Sequence, residues 1–170
     1  MDYFSDFIEV SELQDTTSTS VIQALKEHFS RHGIPDTVVS GNGSQFSSQE
    51  FHEFSLSWEF SQVTSSPHCP RSNGKVELSV KIVRQLFSKA ERDRKDPWLA
   101  LLDYHNTPTE GVGASPAQRL MSGRTHTLLP TATSLQRPTV NHSPVDSLRL
   151  KRQKAKFYHD KHVRRLPELD

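Results

Sequence analysis

Hydrophobic positions recur along this chain with two different periods, and each period marks a different kind of element. Val21, Ile22, Leu25 and Phe29 are spaced as one face of a helix. Asp15-Thr16-Thr17-Ser18 offers capping oxygens ahead of them, and Gly33 with Pro35 closes the run, so the helix is expected to stop near His32. Tyr3 to Val10, rich in aromatic and β-branched residues, reads as a strand. Thr37-Val38-Val39 reads as a short buried strand and Gln62-Val63-Thr64 as another. Between them Ser47 or Ser48 caps a second helix through Phe51, Phe54 and Trp58.

After a Pro-, Ser- and Gly-rich loop from Ser65 to Gly74, Val76, Val80, Val83 and Phe87 recur at i, i+4, i+7 and i+11. That is the apolar stripe of a long helix. Pro97-Trp98-Leu99-Ala100-Leu101-Leu102 begins another, with Pro97 suited to its first turn, and Ser115 to Met121 is a short capped helix. Trp58 and Trp98, at helical spacing, read as core residues rather than as a stacking platform. Strands alternating with amphipathic helices predict a layered α/β fold.

From about Thr125 to Ser143 the chain is Pro/Thr/Ser-rich without periodicity, and Ser143-Pro144 can open a final helix. The expected organisation is a core over 1–124, a linker over 125–143 and a basic helical extension over 144–170, with no internal repeat. Hydrophobic residues make up only 33% of the chain but concentrate before about residue 122, which is where a core can form.

The 21 basic and 20 acidic residues nearly cancel, so charge matters only locally. Arg149, Lys151, Arg152, Lys154, Lys156, Lys161, Arg164 and Arg165 face only Asp160 among acids. This run reads either as a DNA-contacting helix, with Arg149, Arg152 and Lys156 on phosphates, or as a solvated helix. It also resembles a nuclear localisation signal. The single cysteine, Cys69, excludes an internal disulfide and suits a reducing compartment, and no apolar run approaches a membrane span. An intracellular, nuclear protein without membrane contact is the expectation.

At ~100° per residue, Glu77, Lys81 and Arg84 fall within roughly 60° of one another, beside the apolar stripe. A carboxylate with cations at i+4 and i+7 suits phosphodiester chemistry, the carboxylate on a divalent metal and the cations on the backbone. The same spacing equally describes a solvated face with an i,i+4 Glu–Lys pair. His68 and Cys69 have no second Cys/His pair at finger spacing, which argues against a zinc site.

Val38-Val39-Ser40-Gly41-Asn42-Gly43-Ser44-Gln45-Phe46 resembles the Asp-Asn-Gly-Ser-x-Phe motif of retroviral and long-terminal-repeat retrotransposon integrases, with Gly41 in the place of the catalytic aspartate. Ser65 to Glu77 resembles that family's loop and catalytic-glutamate helix. Asp2-Tyr3-Phe4-Ser5 resembles its second core strand. Arg31-His32-Gly33-Ile34-Pro35, Asn106-Thr107-Pro108 and Ser115 to Arg124 resemble segments of its Ty3/gypsy branch. Tyr158-His159-Asp160 and Leu166-Pro167-Glu168-Leu169 look like the lead-in to a C-terminal barrel.

The resemblance implies a ribonuclease H-like fold, a mixed five-stranded sheet flanked by helices, with the first strand ahead of Met1. It implies DNA cleavage and strand transfer by Mg²⁺ or Mn²⁺ held on two aspartates and a glutamate. Glu77 matches the glutamate, Gly41 stands at the second aspartate, and the first aspartate belongs to the strand ahead. Metal binding should therefore be weak or lost, because glycine supplies no anionic oxygen. In the loop, Arg71 replaces the family's usual glutamine. Arg71 and Asn73, with Lys75, Lys81 and Arg84, would follow the DNA phosphate path; for Arg71 a surface substitution without a role is the other reading.

The family's partners are DNA and, commonly, a second copy of the core. Three functions follow: a retrotransposon-derived DNA-binding protein with impaired catalysis, an active integrase subunit completed by upstream sequence, or a protein-interaction scaffold.

Overall fold

The computed structural model describes residues 1–65, 74–138 and 143–162. Met1 with Ile8–Gln85 forms one compact unit, and Asp2–Phe7 with Leu86 onward forms the other.

In the first unit, helix α1 (Ser18–His32) opens where the Thr17 side chain accepts from the Ser20 amide. It ends at Gly33, whose φ of 91° is a left-handed value that glycine tolerates without a Cβ clash. Strand β1 (Thr37–Ser40) pairs in parallel with β2 (Ser61–Thr64) in the register Thr37↔Ser61 to Ser40↔Thr64. Parallel neighbours need a crossover. Helix α2 (Gln49–Ser57), capped by the Ser48 hydroxyl on the Phe51 amide, supplies it.

α1 packs on α2, and between them lies an aromatic core of Val21, Phe51, Phe54 and Phe60. Ile22, Leu25, Phe29, Val38, Phe46 and Trp58 close around it. Phe51 is fully buried, and its ring meets Phe46, Phe54 and Phe60 edge-on. Edge-to-face contact aligns the positive ring edge with a negative face, adding to the burial itself.

In the second unit, α4 (Pro97–Asn106) is capped by the Asp96 carboxylate on the Trp98 amide and packs against α5 (Pro116–Met121). The start of α5 is a reciprocal capping box. Ser115 Oγ accepts from the Gln118 amide at 3.2 Å, and Gln118 Oε1 accepts from the Ser115 amide at 3.0 Å. Asn106 then anchors the chain beyond α5, since Thr125 N–H donates to its Oδ1 at 2.8 Å and its Nδ2 donates to Thr125 Oγ1 at 2.7 Å.

Arg119 is fully buried at its side chain. It pairs with Asp6 at 3.1 Å and donates to Thr109 Oγ1 at 2.9 Å, as a buried guanidinium must be paired to be tolerated. Burial, then the Asp6 carboxylate, push the Tyr104 phenol up from its ordinary value, with Arg119 opposing. Helix α7 (Ser143–His162) docks through Leu148 onto Val112 and Ala114. Lys151 Nζ donates to the Glu110 carbonyl at 2.8 Å, and Arg152 to the Tyr3 carbonyl at 3.0 Å.

Several expectations are corrected. Tyr3 to Val10 forms no strand. Asp2 folds the segment into a turn, its carboxylate accepting from the Ser5 amide at 2.5 Å and hydroxyl at 2.6 Å, while Asp2 N–H reaches the Phe7 carbonyl. A short polar side chain that satisfies nearby donors competes with a sheet ladder.

Of the five strands that the resemblance implies, the first is placed ahead of Met1, and two of the others are found among the described residues. β1 is half-exposed rather than buried, apart from Ser40. Trp98 is 53% exposed, touching Phe87 edge-on at 5.4 Å, so it is a partial cover and not core. The segment read as a linker holds a turn of helix that the absent periodicity does not signal, α6 (Thr133–Gln136), tied back by the Arg124 amide to the Leu135 carbonyl. Most of the Ser65–Gly74 loop, with His68, Cys69, Arg71 and Asn73, lies outside the described residues, as do Arg164 and Arg165.

Candidate functional site

Gly41 follows directly on β1, and the strand fixes the backbone that reaches it. The Ser40 carbonyl accepts from the Ser65 amide at 2.9 Å and from the Ser65 hydroxyl at 3.1 Å. Gln62 Nε2 donates to the Phe46 carbonyl at 2.7 Å, binding the motif's far end to β2. A Cβ built at Gly41 meets nothing within 4 Å, and its φ lies outside the left-handed region. The backbone therefore does not require glycine here. What the position lacks is an oxygen, not room.

Helix α3 (Gly74–Arg92) carries the other candidates. Val76, Glu77, Val80, Lys81, Arg84 and Gln85 line an open groove of about 440 Å³. These are positions i, i+1, i+4, i+5, i+8 and i+9, so one face of one helix makes the whole lining. Glu77, Lys81 and Arg84 are exposed, Lys75 is half-buried, and Val80 of the predicted apolar stripe is 43% exposed.

The helical spacing thus brings Glu77, Lys81 and Arg84 together as expected. Among the described residues, however, the i,i+4 Glu77–Lys81 ion pair is not made. The two cations are left available to an external anion.

Metal binding is a separate question. Among the described residues no three His, Cys, Asp or Glu side chains are grouped to hold an ion. One exposed carboxylate and a glycine do not fit Mg²⁺, which sheds water reluctantly and needs oxygen ligands in near-octahedral array.

A second polar cluster escaped the sequence reading because its members are far apart along the chain. Ser11 Oγ lies 2.9 Å from His28 Nε2, and His28 Nδ1 lies 3.5 Å from Glu9. That order suggests nucleophile, base and acid. Arg31 refutes it, because its Nη2 lies 2.8 Å from His28 Nδ1 and arginine can only donate. Nδ1 is therefore the acceptor and Nε2 carries the proton toward Ser11, the wrong tautomer for a base. Burial first, against the opposing pull of Glu9, holds the His28 pKa below its ordinary value, and Glu9 is engaged by His32 at 2.5 Å. The cluster is a clasp between the Glu9 segment and α1.

On α7, Arg149 lies 4.0 Å from Asp146 with both exposed, Arg152 is held by the Tyr3 carbonyl, and Lys156 is exposed. Phe157 and Tyr158 stand beside them, 66% and 62% exposed.

Comparison with known proteins gives this geometry a family. Residues 1–70, which include the β1–α2–β2 unit and Gly41, match the integrase core domain model. The chain is 28% identical over 164 residues to an uncharacterized protein of Caenorhabditis elegans, covering 94% of this chain and 13% of that one. It is 35% identical over 112 residues to the Gag-Pro-Pol polyprotein of human T-cell leukemia virus 2, covering 66% and 7%.

The HTLV-2 integrase catalytic core domain, solved in complex with magnesium, superposes in its trimeric form with a TM-score of 0.58 at 26% identity, covering 70% of this chain and 80% of that one. Its dimeric form gives 0.56 at 25%, covering 70% and 78%. The chain belongs to the integrase cores of retroviral and long-terminal-repeat retrotransposon type.

This integrase core has the ribonuclease H-like fold of those structures. It spans only about a tenth of the length of the curated relatives it matches. Its glutamate helix begins past the family-model match, so Glu77 rests on the Asn73-Gly74-Lys75-Val76-Glu77 spacing and on its position in the first turn of α3. No described helix is long and apolar enough to cross a membrane.

Proposed function

We propose that this integrase core, of Ty3/gypsy-type retrotransposon origin, binds DNA through its phosphate backbone and does not catalyse strand transfer. The observation that carries the reading is the α3 groove, where Lys81 and Arg84 stand exposed beside Glu77 without an intrahelical ion pair. Unpaired cations release counterions from DNA on contact, which drives binding without sequence preference. Lys75, half-buried and roughly 120–180° round α3 from that triplet, enters with Arg71 and Asn73 on the family resemblance alone. Arg149 and Lys156 supply further phosphate contacts from α7, whereas Arg152 is held by the Tyr3 carbonyl.

The donor set supports the catalytic half of the reading. Two metal ions bridging attacking and leaving oxygens need the carboxylate that Gly41 does not supply. The HTLV-2 core binds magnesium in its structure. In this chain Gly41 makes such binding weak. That core also forms dimers and trimers, which supports self-association here. A nuclear location follows from the basic run of α7 and the DNA ligand.

The test is fluorescence anisotropy with duplex DNA across a salt series, wild type against Lys81→Ala/Arg84→Ala. Removing two phosphate contacts should reduce the slope of log K against log salt by roughly 2. An unchanged slope would remove α3 from the interface. Strand-transfer turnover in Mg²⁺ or Mn²⁺ that Glu77→Ala abolishes would overturn the catalytic half of the proposal.

A further inference from the structure

The outward face of α7 carries a pattern that backbone contacts alone do not explain. Leu148 fixes the inward side, with Lys151 and Arg152 bonded to the carbonyls of Glu110 and Tyr3. At ~100° per residue, Phe157 falls about 180° from Leu148, directly outward. Arg149 and Lys156 then lie roughly 80–100° to one side of Phe157 and Lys154 roughly 60° to the other, with Tyr158 beyond Lys154. The aromatic rings are 66% and 62% exposed, with centroids 5.7 Å apart and planes at 77°. Two neighbouring aromatics on one outward surface, flanked on both sides by cations, exceed what phosphate binding requires. Duplex DNA offers phosphates but keeps its base faces stacked inside. A single strand offers both.

We infer that the outward face of α7 binds single-stranded DNA, with bases stacking on Phe157 and Tyr158 while Arg149, Lys154 and Lys156 hold the intervening phosphates. Every base has a π face, so such a surface accepts any sequence. The occupant follows from charge complementarity, since Asp146 is the one acid among the described side chains of α7. An acidic protein segment would satisfy the cations but would have no need of two exposed rings. The inference deepens the DNA-binding reading for α7 and is independent of the duplex contacts assigned to α3.

The experiment measures anisotropy of the full chain with a labelled oligo(dT), with an abasic deoxyribose-phosphate strand of the same length, with oligo(U) and with duplex DNA. The variants are Phe157→Leu/Tyr158→Leu and, separately, Lys81→Ala/Arg84→Ala. Leucine keeps the apolar bulk and removes the π face, and both positions are exposed, so the helix and its docking through Leu148 are retained. Losing base stacking should weaken oligo(dT) binding roughly 5- to 30-fold. Duplex and abasic affinities should stay unchanged.

Unaltered oligo(dT) affinity in the leucine variant would overturn the inference, as would wild-type binding to the abasic strand as tight as to oligo(dT). Tighter binding to oligo(U) than to oligo(dT) would also overturn the assignment to DNA. Failure of the α3 reading shows elsewhere, in a duplex affinity that Lys81→Ala/Arg84→Ala does not move.

Discussion

Gly41 sits on a backbone that a side chain could occupy, since no atom lies within 4 Å of a Cβ there and φ is ordinary. Gly41→Asp should therefore fold, changing stability by no more than about 0.5 kcal/mol as read by urea denaturation, because it disturbs neither core nor cap. A loss above about 1 kcal/mol would show that the glycine is structural after all.

His28 makes the opposite kind of prediction. Its pKa is lowered in the folded state from the ordinary 6.5, chiefly by burial, with Arg31, His32 and the N-terminus assisting and Glu9 opposing. Below 6.5 the unfolded chain takes up the proton more readily, so this stabilisation is complete above that pH and is lost as pH falls toward the lowered folded value. Stability measured from pH 7.5 to 5.5 should decline, and more shallowly in His28→Gln. An equal slope in the variant would assign the dependence to other groups. The helical triplet Glu77, Lys81 and Arg84 was legible in the sequence because helix geometry is local. The Glu9–His28–His32 clasp was not, because residues about twenty apart become neighbours only after α1 has packed.

At the scale of elements, what could be read was what capping chemistry dictates within three or four residues. Thr17, Ser48 and Ser115 cap the helices that their positions foretell, and Asp96, which the sequence reading passed over in favour of Pro97, caps α4. Strands depend on partners elsewhere in the chain. Thr37–Ser40 and Ser61–Thr64 found each other across α2, whereas Tyr3 to Val10 had equal strand composition and became a turn under Asp2. The apolar stripe of α3 was read correctly in period, but the exposure of Val80 could not be, since periodicity gives a face and not what covers it.

The capping box of α5 yields a prediction at this scale. Ser115 is completely buried and its hydroxyl holds the Gln118 amide, so Ser115→Ala should cost about 1–2 kcal/mol in urea denaturation. Ser115→Asp, which keeps an acceptor but adds a buried charge, should not recover it. A cost near zero would mean that water replaces the cap.

For the molecule as a whole, the proposed function has an integrase framework around an acidic site short of donors, and a metal titration separates those two properties. A ligand that binds only the folded state stabilises it by RT ln(1 + [L]/Kd), about 0.4 kcal/mol when its concentration equals Kd. At about 2–4 °C per kcal/mol for a chain of this size, that is a rise of at most about 2 °C. An exposed carboxylate such as Glu77, acting alone on a strongly hydrated ion that demands several oxygen ligands, holds it weakly, with a Kd at or above the concentration used. Mg²⁺ at roughly 10 mM should therefore leave the melting temperature within about 2 °C of the metal-free value, and Glu77→Ala should behave alike. A rise of several degrees that Glu77→Ala removes would mean that other oxygens join Glu77 when the ion arrives, and the chain would again have to be considered an enzyme. Without that rise, Lys81 and Arg84 are the part of the site that still has a ligand to meet.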